Sequence, residues 1–433
     1  MKNKIHILVI SFMIFSNFFG AGNLIFPPFL GATSGSEWMT SFLGFIIGDV
    51  GIVLLSFYAV VKAGSYQNIV GRAGKKFGLS LEIIMMLCLG PILVIPRTGA
   101  TTFEMSIAPI FPEFNSVIFS IIFYALVFII SIKPSKVVDI IGKYLTPILL
   151  IALSILIIKG IVSPVGSLNS DIQGDKLFID GITQGYQTMD ALGAGGIAAF
   201  IMLAFKNKGY TDKKQIGKYT MIATTIACVG LVIVYGGLAY LGATVSTNYT
   251  TDISQTALLV NITSQLLGTT GTIILSIIVA FACFTTASTL TSVTANYFAE
   301  LTKNKIKYNH VVIAICLFSL VMANLGVDKI ISIAVPILTV LYPVAIILVL
   351  MSSLPKIFND SIMFKGAAYI TLIINIFNVI DTLGIKIEIL NTLPLGSIGF
   401  NWFIPAILGA YILKLFGKRK DNNHNKIEKI VQA

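Results

Sequence analysis

Long apolar blocks separated by short polar stretches make up most of this 433-residue chain. Each block holds roughly 20 residues, the length that an α-helix needs to cross about 30 Å of hydrocarbon. Because a helix pairs its backbone polar groups internally, such blocks predict membrane-spanning helices. The pattern therefore predicts an all-α integral membrane protein with twelve transmembrane helices, at about residues 7–31, 41–62, 80–108, 115–132, 141–162, 177–205, 216–244, 271–302, 310–326, 328–353, 362–381 and 400–417.

Composition agrees with this class, and the distribution of charge adds an orientation. Hydrophobic residues make up 56% of the chain and charged residues only 11%, whereas about 25% of the residues in soluble domains are charged. Of the 30 Lys and Arg residues, 25 fall in alternate loops that belong to one side, 4 in loops of the other side and one inside a segment. The positive-inside rule then predicts that both termini lie in the cytoplasm. The same distribution accounts for the net charge of +11 without a nucleic-acid partner.

The first residues also imitate a secretory signal, with lysines followed by an apolar run and small residues. The apolar character continues through Leu24–Leu30, and eleven further segments follow. We therefore expect the first segment to be retained as a membrane helix.

The first segment, "FSNFFGAGNLIFPPFL" at residues 15–30, contains helix breakers in its middle. Gly20 and Gly22 each lower helix propensity by roughly 1 kcal/mol relative to alanine, and Pro27 and Pro28 cannot donate backbone hydrogen bonds. A break here frees N–H groups, which suit a carboxylate, beside C=O groups, which suit a small cation. The alternative is that these residues only serve a kink or close helix packing, which are common in membrane helices.

The sixth segment repeats this feature with "LGAGG" at residues 192–196. The sixth segment comes five positions after the first, so the charge rule gives the two opposite directions across the membrane. Glycine-interrupted helices at matching places in two oppositely oriented halves indicate the binding site of a transporter.

The eighth segment, "AFACFTTASTLTSVTANYFAEL", is rich in hydroxyl residues. Thr285, Ser288, Thr289 and Ser292 share one helical face. Their oxygens could complete a cation shell with carbonyls of the first segment, or could bond back to carbonyls of their own helix.

Four charged residues lie deep inside apolar segments: Asp49, Arg97, Glu104 and Asp190. A charge at membrane depth costs at least about 2.5 kcal/mol and is usually paired or functional. The sequence is equally consistent with two roles: a gate or proton relay formed by Asp49, Arg97 and Glu104, or a structural ion pair between Arg97 and either Asp49 or Asp190.

Four strings in this order resemble the bacterial branched-chain amino acid:cation symporter family: "FFGAGNLIFPP" at 18–28, "GPILVIPRTGATTFEMSIAP" at 90–109, "GYQTMDALG" at 185–193 and "ACFTTASTLT" at 282–291. The resemblance implies import of leucine, isoleucine and valine with Na⁺ or H⁺ across the cytoplasmic membrane. It also implies a LeuT-type fold, with two inverted five-helix repeats, discontinuous helices 1 and 6, and two additional helices. The corresponding divisions are 1–163, 164–355 and 356–417, followed by a polar cytoplasmic tail at 418–433.

The resemblance further implies residue roles. "NFFGAGN" looks like the "NAVGLGN" of LeuT-type sodium symporters, which implies that the N–H groups of Ala21 and Gly22 bind the substrate carboxylate. The implied ligands of the coupling cation are the carbonyls of Ser16, Phe19 and Ala282 and the hydroxyls of Thr285 and Thr286. Asn23 and Thr188 match residues of a second sodium site that touches the substrate. Asp190 has no clear counterpart in that comparison; we expect it to contact the substrate ammonium group, and Gly193 to belong to the same substrate site.

The hydroxyl ligands favour Na⁺, because an alkali ion needs oxygen ligands, while Asp190 and Glu104 keep H⁺ open. An enzyme is not expected, because no nucleophile–base pair, phosphate loop or metal-ligand spacing occurs in the sequence. A symporter of another small amino acid or amine, and an ion channel, are the competing functions. No obligatory protein partner is evident; the expected partners are the amino acid and the lipid bilayer.

Overall fold

The computed structural model describes residues 2–132, 136–172, 174, 176–248 and 253–416, and the predicted tail at 418–433 lies outside them. This described part of the chain is helical and contains no strand. The helices are α1 Lys2–Phe18, α2 Ala21–Ser34, α3 Trp38–Ile46, α4 Ile52–Ala63, α5 Tyr66–Val70, α6 Lys75–Leu87, α7 Val94–Thr102, α8 Ser116–Ile132, α9 Lys136–Val162, α10 Leu177–Gln187, α11 Asp190–Asn207, α12 Lys213–Ala243, α13 Gln255–Leu301, α14 Tyr308–Ala323, α15 Val327–Ser353, α16 Ser361–Thr382, α17 Ile389–Thr392 and α18 Phe403–Phe416.

Six continuous helical stretches of the described residues are long and apolar enough to cross a membrane. The bent pair α10–α11 makes a seventh if it is counted as one span. Shorter apolar helices, of 10–17 residues, include α8, α14 and α18. An all-α protein with apolar helices is thus confirmed, while the number of twelve spans stays a prediction.

Both predicted interruptions are present, but each is narrower than its sequence pattern suggests. α1 ends at Phe18 and α2 begins at Ala21, so only Phe19 and Gly20 leave the helix. Pro27 and Pro28 lie inside α2 and do not end it. The second break falls between Gln187 and Asp190, with a bend of 48°. The glycine-rich stretch 192–196 is therefore not the break itself, because it lies within α11.

The chain forms two compact units: Met1–Leu54 with Met86–Val335, and Leu55–Met85 with Pro336–Ala433. In the second unit, Nη2 of Arg72 donates to the Phe358 carbonyl at 3.1 Å, and the guanidinium group lies 3.7 Å from the centre of the Phe364 ring. All the candidate site residues belong to the first unit.

Glycines let the half-helices beside the breaks approach their neighbours at backbone distance. A methyl group on Gly31 of α2 would collide with the Ala239 carbonyl of α12, and one on Gly181 of α10 would collide with the Ser41 carbonyl of α3. Small residues at such crossings are typical of membrane helix packing. These two contacts fix the position of α2, the second half of the first broken helix, and of α10, the first half of the second broken helix.

Among the described residues of the first unit, three π-helical turns interrupt the α-helical geometry: Ile47–Gly51, Cys88–Ile92 and Phe103–Ile107. π-Turns widen a helix locally and often occur at functional sites. The first of them carries Asp49 and the third carries Glu104. Two of the four deep charges therefore lie on irregular backbone.

Candidate functional site

A cavity lies where the two helix breaks face each other. Its empty space is about 410 Å³, a figure that includes open solvent at its mouth. The polar and backbone part of its lining comes from residues expected at the substrate site, together with Asn17, Gly20, Arg97 and Thr286: Asn17, Gly20, Ala21, Gly22, Asn23, Arg97, Thr188, Asp190, Gly193 and Thr286. The apolar part comes mainly from Phe18, Leu89, Val94, Met189, Ile197 and Leu290.

The first break presents the N-terminus of α2 to this cavity. The N–H groups of a first helical turn have no acceptor inside the helix, and those of Ala21 and Gly22 belong to that turn. Asn23 shapes the break, because its Oδ1 accepts a hydrogen bond from the Gly20 N–H at 3.3 Å. The result is a small concave patch of partial positive charge, which suits a carboxylate.

The second break depends on one residue in an unfavourable conformation. Met189 is buried and has φ 65° and ψ 11°, the left-handed region that side-chain-bearing residues rarely adopt. This conformation ends α10 and starts α11 at Asp190. Strain of this kind persists only where the surrounding structure enforces it, and it is common at binding sites.

A buried polar network joins the two breaks. Nδ2 of Asn23 donates to Asp190 Oδ2 at 2.8 Å and to the Tyr235 hydroxyl at 2.6 Å. The Thr188 hydroxyl lies 2.9 Å from Oδ1 of Asp49. The Asp190 N–H donates to the same Thr188 hydroxyl at 3.4 Å. The network therefore connects Asp49 to Asp190, which lines the cavity.

Arg97 closes the end of α10. Its guanidinium donates to the Gln187 carbonyl at 2.6 Å and to the Thr188 carbonyl at 3.4 Å. A cation at the C-terminus of a helix is favourable, because the last carbonyls carry partial negative charge. A methyl group on Gly22 would lie 2.7 Å from Nη2 of Arg97, so the guanidinium also packs on the first break. Arg97 thus holds both breaks while lining the cavity.

The residues predicted to bind a cation are split between the cavity and the helices behind it. Thr286 lines the cavity, and its buried Oγ1 has no hydrogen-bond partner among the described residues. In a continuous α-helix the Gly20 N–H would donate to the Ser16 carbonyl. Here it donates to the Phe18 carbonyl at 3.0 Å, so the Ser16 carbonyl loses its helical donor. The Thr285 hydroxyl donates to the Ala282 carbonyl at 2.9 Å. The lone pairs of the Thr285 hydroxyl oxygen remain available to a cation.

Phe19, the remaining predicted cation ligand, lies in the break itself, and its ring stacks on that of Tyr235 at 6.1 Å. The unpartnered Thr286 hydroxyl and the freed Ser16 carbonyl are oxygen donors of the type that a hard cation binds. The donor chemistry of this region therefore fits the expected ion.

Glu104 lies apart from the cavity. Its Oε2 accepts from the Thr256 hydroxyl at 2.6 Å and its Oε1 from the Val327 N–H at 2.9 Å. It therefore ties the start of α13 and the start of α15 to the π-turn after α7. The sequence spacing that puts Arg97 and Glu104 on one helical face does not place them in one site.

The sequence did not identify Tyr235, Met189 or the apolar wall. Tyr235 is a fully buried hydroxyl in the middle of an apolar segment, which is a signal that could have been used. The conformation of Met189 had no sequence signal, because a glycine or asparagine would be expected at such a position.

Comparison with known proteins gives matches over nearly the whole chain. A family model described as "Branched-chain amino acid transport protein" matches residues 3–420. The branched-chain amino acid permease BrnQ of Bacillus subtilis (strain 168) is 35% identical over 428 residues, which cover 95% of this chain and 97% of that protein. The branched-chain amino acid permease BraB of the same organism is 36% identical over 431 residues, covering 94% and 95%.

Solved structures with a similar fold are much more distant in sequence. Mhp1 in an inward-facing conformation has a TM-score of 0.61 at 13% identity, covering 94% of this chain and 91% of that one. A Na⁺-coupled sialic acid symporter has a TM-score of 0.58 at 14% identity, covering 94% and 90%. These likenesses show the fold alone.

Proposed function

The chain belongs to the branched-chain amino acid transport protein family, and we propose that it imports leucine, isoleucine and valine by symport with Na⁺. It is a transporter and not an enzyme. Membership of the family does not establish the coupling ion, the orientation in the membrane or the residues that bind each ligand, so these are proposals.

One observation carries the proposal: a single cavity combines a helix N-terminus, an acidic group and aliphatic side chains. The N–H groups of Ala21 and Gly22 would receive the carboxylate of the amino acid. Asp190, at the start of α11 in the second break, would receive its ammonium group. A zwitterion with an aliphatic side chain matches these three parts, whereas a simple ion would leave the apolar wall unused.

The apolar wall sets the expected specificity. Leu89, Val94, Ile197 and Leu290 offer aliphatic surface to the substrate side chain. Each buried CH₂ contributes about 0.8 kcal/mol, so leucine should bind about fiftyfold more tightly than alanine, which is three carbons shorter. Valine, one CH₂ shorter than leucine, should lose only about fourfold.

The proposed Na⁺ site lies between the first break and α13. The carbonyls of Ser16, Phe19 and Ala282 and the hydroxyls of Thr285 and Thr286 would supply its oxygen ligands. The unpartnered hydroxyl of Thr286 supports this assignment, because a buried polar group without a partner is costly unless a ligand satisfies it. A cation here would tie α13 to the break in α1–α2, and its gradient would then drive the change of access.

The finer architecture belongs to the same proposal. We assign twelve spans, arranged as two inverted five-helix repeats and two further helices, with both termini in the cytoplasm of a bacterial cell. The two broken helices and the fold likeness to Mhp1 support this arrangement.

Uptake of labelled leucine into proteoliposomes tests the proposal. An inward Na⁺ gradient should accelerate initial uptake, and unlabelled isoleucine and valine should compete with it while alanine should not. Acceleration of uptake by an imposed proton gradient alone would identify H⁺, and not Na⁺, as the coupling ion. Saturable uptake of other amino acids or amines only, or ion current without leucine uptake, would refute the substrate assignment.

A further inference from the structure

Six lysines gather on one surface of the second compact unit, and the proposed transport mechanism does not use them. They come from three parts of the chain: the end of α4 and the start of α6, the turn between α15 and α16 with the first turn of α16, and the end of α18. Five of the six are exposed, and the last is half-buried. We call them the lysine surface: Lys62, Lys75, Lys76, Lys356, Lys365 and Lys414.

The turn between α15 and α16 holds two of these parts directly. Nζ of Lys62, at the end of α4, donates to the Ser353 carbonyl at 3.5 Å. Nζ of Lys414, in α18, donates to Oδ1 of Asn359 at 3.1 Å. Both bonds leave an ammonium group at the same turn, although the two lysines are remote from each other in sequence.

The start of α6 meets the same segment. Arg72, which precedes α6, donates to the Phe358 carbonyl at 3.1 Å. Cε of Lys365 lies 3.8 Å from the position that a methyl group on Gly74 would occupy, and Lys75 follows Gly74 directly. The lysines of the three parts therefore converge through tertiary contacts and not through adjacency in sequence.

The lysine surface has little acidic counterpart. Residues 62–76 and 403–416 contain no Asp or Glu, and residues 353–365 contain only Asp360. Oδ1 of Asp360 accepts a hydrogen bond from the Ile362 N–H at 3.0 Å and caps α16. Six ammonium groups therefore share a surface with a single carboxylate, so the surface is strongly electropositive.

This surface lies where apolar helices end. Four of the six continuous stretches that are long enough to cross a membrane begin or end beside it: Ala21–Ala63, Lys75–Ile107, Val327–Ser353 and Ser361–Thr382. The ends of membrane-spanning helices lie at the level of the lipid headgroups. The six ammonium groups are therefore at the right depth to meet headgroup phosphates.

Exposed apolar side chains lie among the lysines. Leu354 is 42% exposed and Ile357 is 49% exposed, on either side of Lys356 in the same turn. A lysine can lay its aliphatic stem along apolar surface while its ammonium group stays in a polar layer. This mixture of aliphatic and cationic groups matches the boundary between acyl chains and headgroups.

We propose that the lysine surface binds the phosphate groups of anionic phospholipids in the leaflet that surrounds it. Charge complementarity favours an anionic lipid over a zwitterionic one, whose own cation opposes the lysines. Leu354 and Ile357 contact the acyl chains, which an acidic protein would not supply. The positive-inside rule accounts for basic loops, but it does not account for the contacts that bring these loops together.

Binding of phosphatidylglycerol labelled on one acyl chain measures this contact, in the purified full-length protein in uncharged detergent. Unlabelled phosphatidylglycerol should displace the probe, whereas phosphatidylcholine and free glycerol phosphate should not. Binding should weaken in high salt, because the Debye length falls from about 10 Å at 0.1 M to about 3 Å at 1 M.

Each competitor can also contradict the proposal. Equal displacement by phosphatidylcholine would show that the anionic headgroup is not recognised. Displacement by free glycerol phosphate as effective as that by the lipid would show a phosphate site with no need for a membrane. Stronger displacement by polyglutamate than by phosphatidylglycerol would assign the surface to an acidic protein. Each of these results would overturn the proposal.

The double variant Lys75→Gln with Lys365→Gln locates the binding on this surface. Each lysine near an anionic membrane contributes about a factor of five to binding, so the loss of two should weaken the affinity about 25-fold. Lys305→Gln with Lys307→Gln is the matched control, because it removes two exposed lysines from the loop between α13 and α14, outside the lysine surface. The control should bind the probe as the parent does.

Equal losses in the two double variants would show a general effect of net charge, and an unchanged affinity in the first would show that the lipid binds elsewhere. Either result would overturn the proposal. Lys62→Gln with Lys356→Gln is a second pair on the same surface and repeats the test should the first pair fail to fold. All these measurements record lipid binding, so their outcome is independent of whether the protein transports leucine.

Discussion

Replacing Thr286 by valine tests whether its hydroxyl binds the coupling cation. Valine has nearly the same shape as threonine but lacks the hydroxyl oxygen. That oxygen is buried and has no partner among the described residues, so its removal breaks no hydrogen bond that the structure shows. The thermal stability of the variant should therefore equal or exceed that of the parent.

The effect on the cation should be large. A hydrogen bond or ligand contact to a charged group contributes about 1.5–3 kcal/mol, and each 1.4 kcal/mol is about a factor of ten in an equilibrium constant. The Na⁺ concentration that gives half-maximal leucine uptake should therefore rise by about 10- to 100-fold. Initial uptake rates in proteoliposomes, recorded over a series of external Na⁺ concentrations, measure this shift.

Thr291→Val is the matched control, because it makes the same substitution in the same helix. Thr291 is fully buried, its hydroxyl also has no partner in the described part of the chain, and it does not line the cavity. The Na⁺ concentration that gives half-maximal leucine uptake should be the same in Thr291→Val as in the parent. An unchanged half-saturating Na⁺ concentration in Thr286→Val would refute the assignment of that hydroxyl, and an equal shift in both variants would show a general effect on α13.

Three further substitutions test the breaks themselves. Gly22→Ala places a methyl group 2.7 Å from Nη2 of Arg97, so it should displace the guanidinium group and lower leucine uptake at least about tenfold. Gly196→Ala is the control, because a methyl group there meets nothing within 4 Å. It should leave uptake unchanged and raise helix stability by up to about 1 kcal/mol. Met189→Val should destabilise the protein by about 1–2 kcal/mol relative to Met189→Leu, because a β-branched residue tolerates positive φ worst; equal melting temperatures would contradict this. Arg97→Lys keeps the charge but loses the two-carbonyl contact, so the protein should stay folded while uptake falls; uptake equal to the parent would show that the guanidinium geometry is not needed.

The sequence predicted the all-α class and the presence of two interrupted helices because both depend on strong, local signals. Apolar blocks of membrane length predict helices, and glycines weaken a helix wherever they occur. The sequence predicted the bounds of the two breaks less accurately. Pro27 and Pro28 lie inside α2, because a buried helix tolerates lost donors where neighbouring groups compensate.

The breaks and their partners depend on tertiary contacts that no short sequence window contains. The second break occurs at Met189, where packing enforces a conformation that the residue itself disfavours. Arg97 and Glu104 are seven residues apart, yet Arg97 binds the end of α10 while Glu104 binds Thr256 and Val327. The partner of each deep charge is set by helices that are remote in sequence, so spacing alone could identify the charges but not their roles.

Reciprocal binding of leucine and Na⁺ to the purified protein tests the central claim most directly. If both ligands share the region around the first break, Na⁺ should tighten leucine binding, and leucine should tighten Na⁺ binding by the same factor, as linkage requires. We expect a factor of at least about five, which corresponds to roughly 1 kcal/mol of coupling. A leucine affinity that is the same with Na⁺ as with a large organic cation would contradict the account.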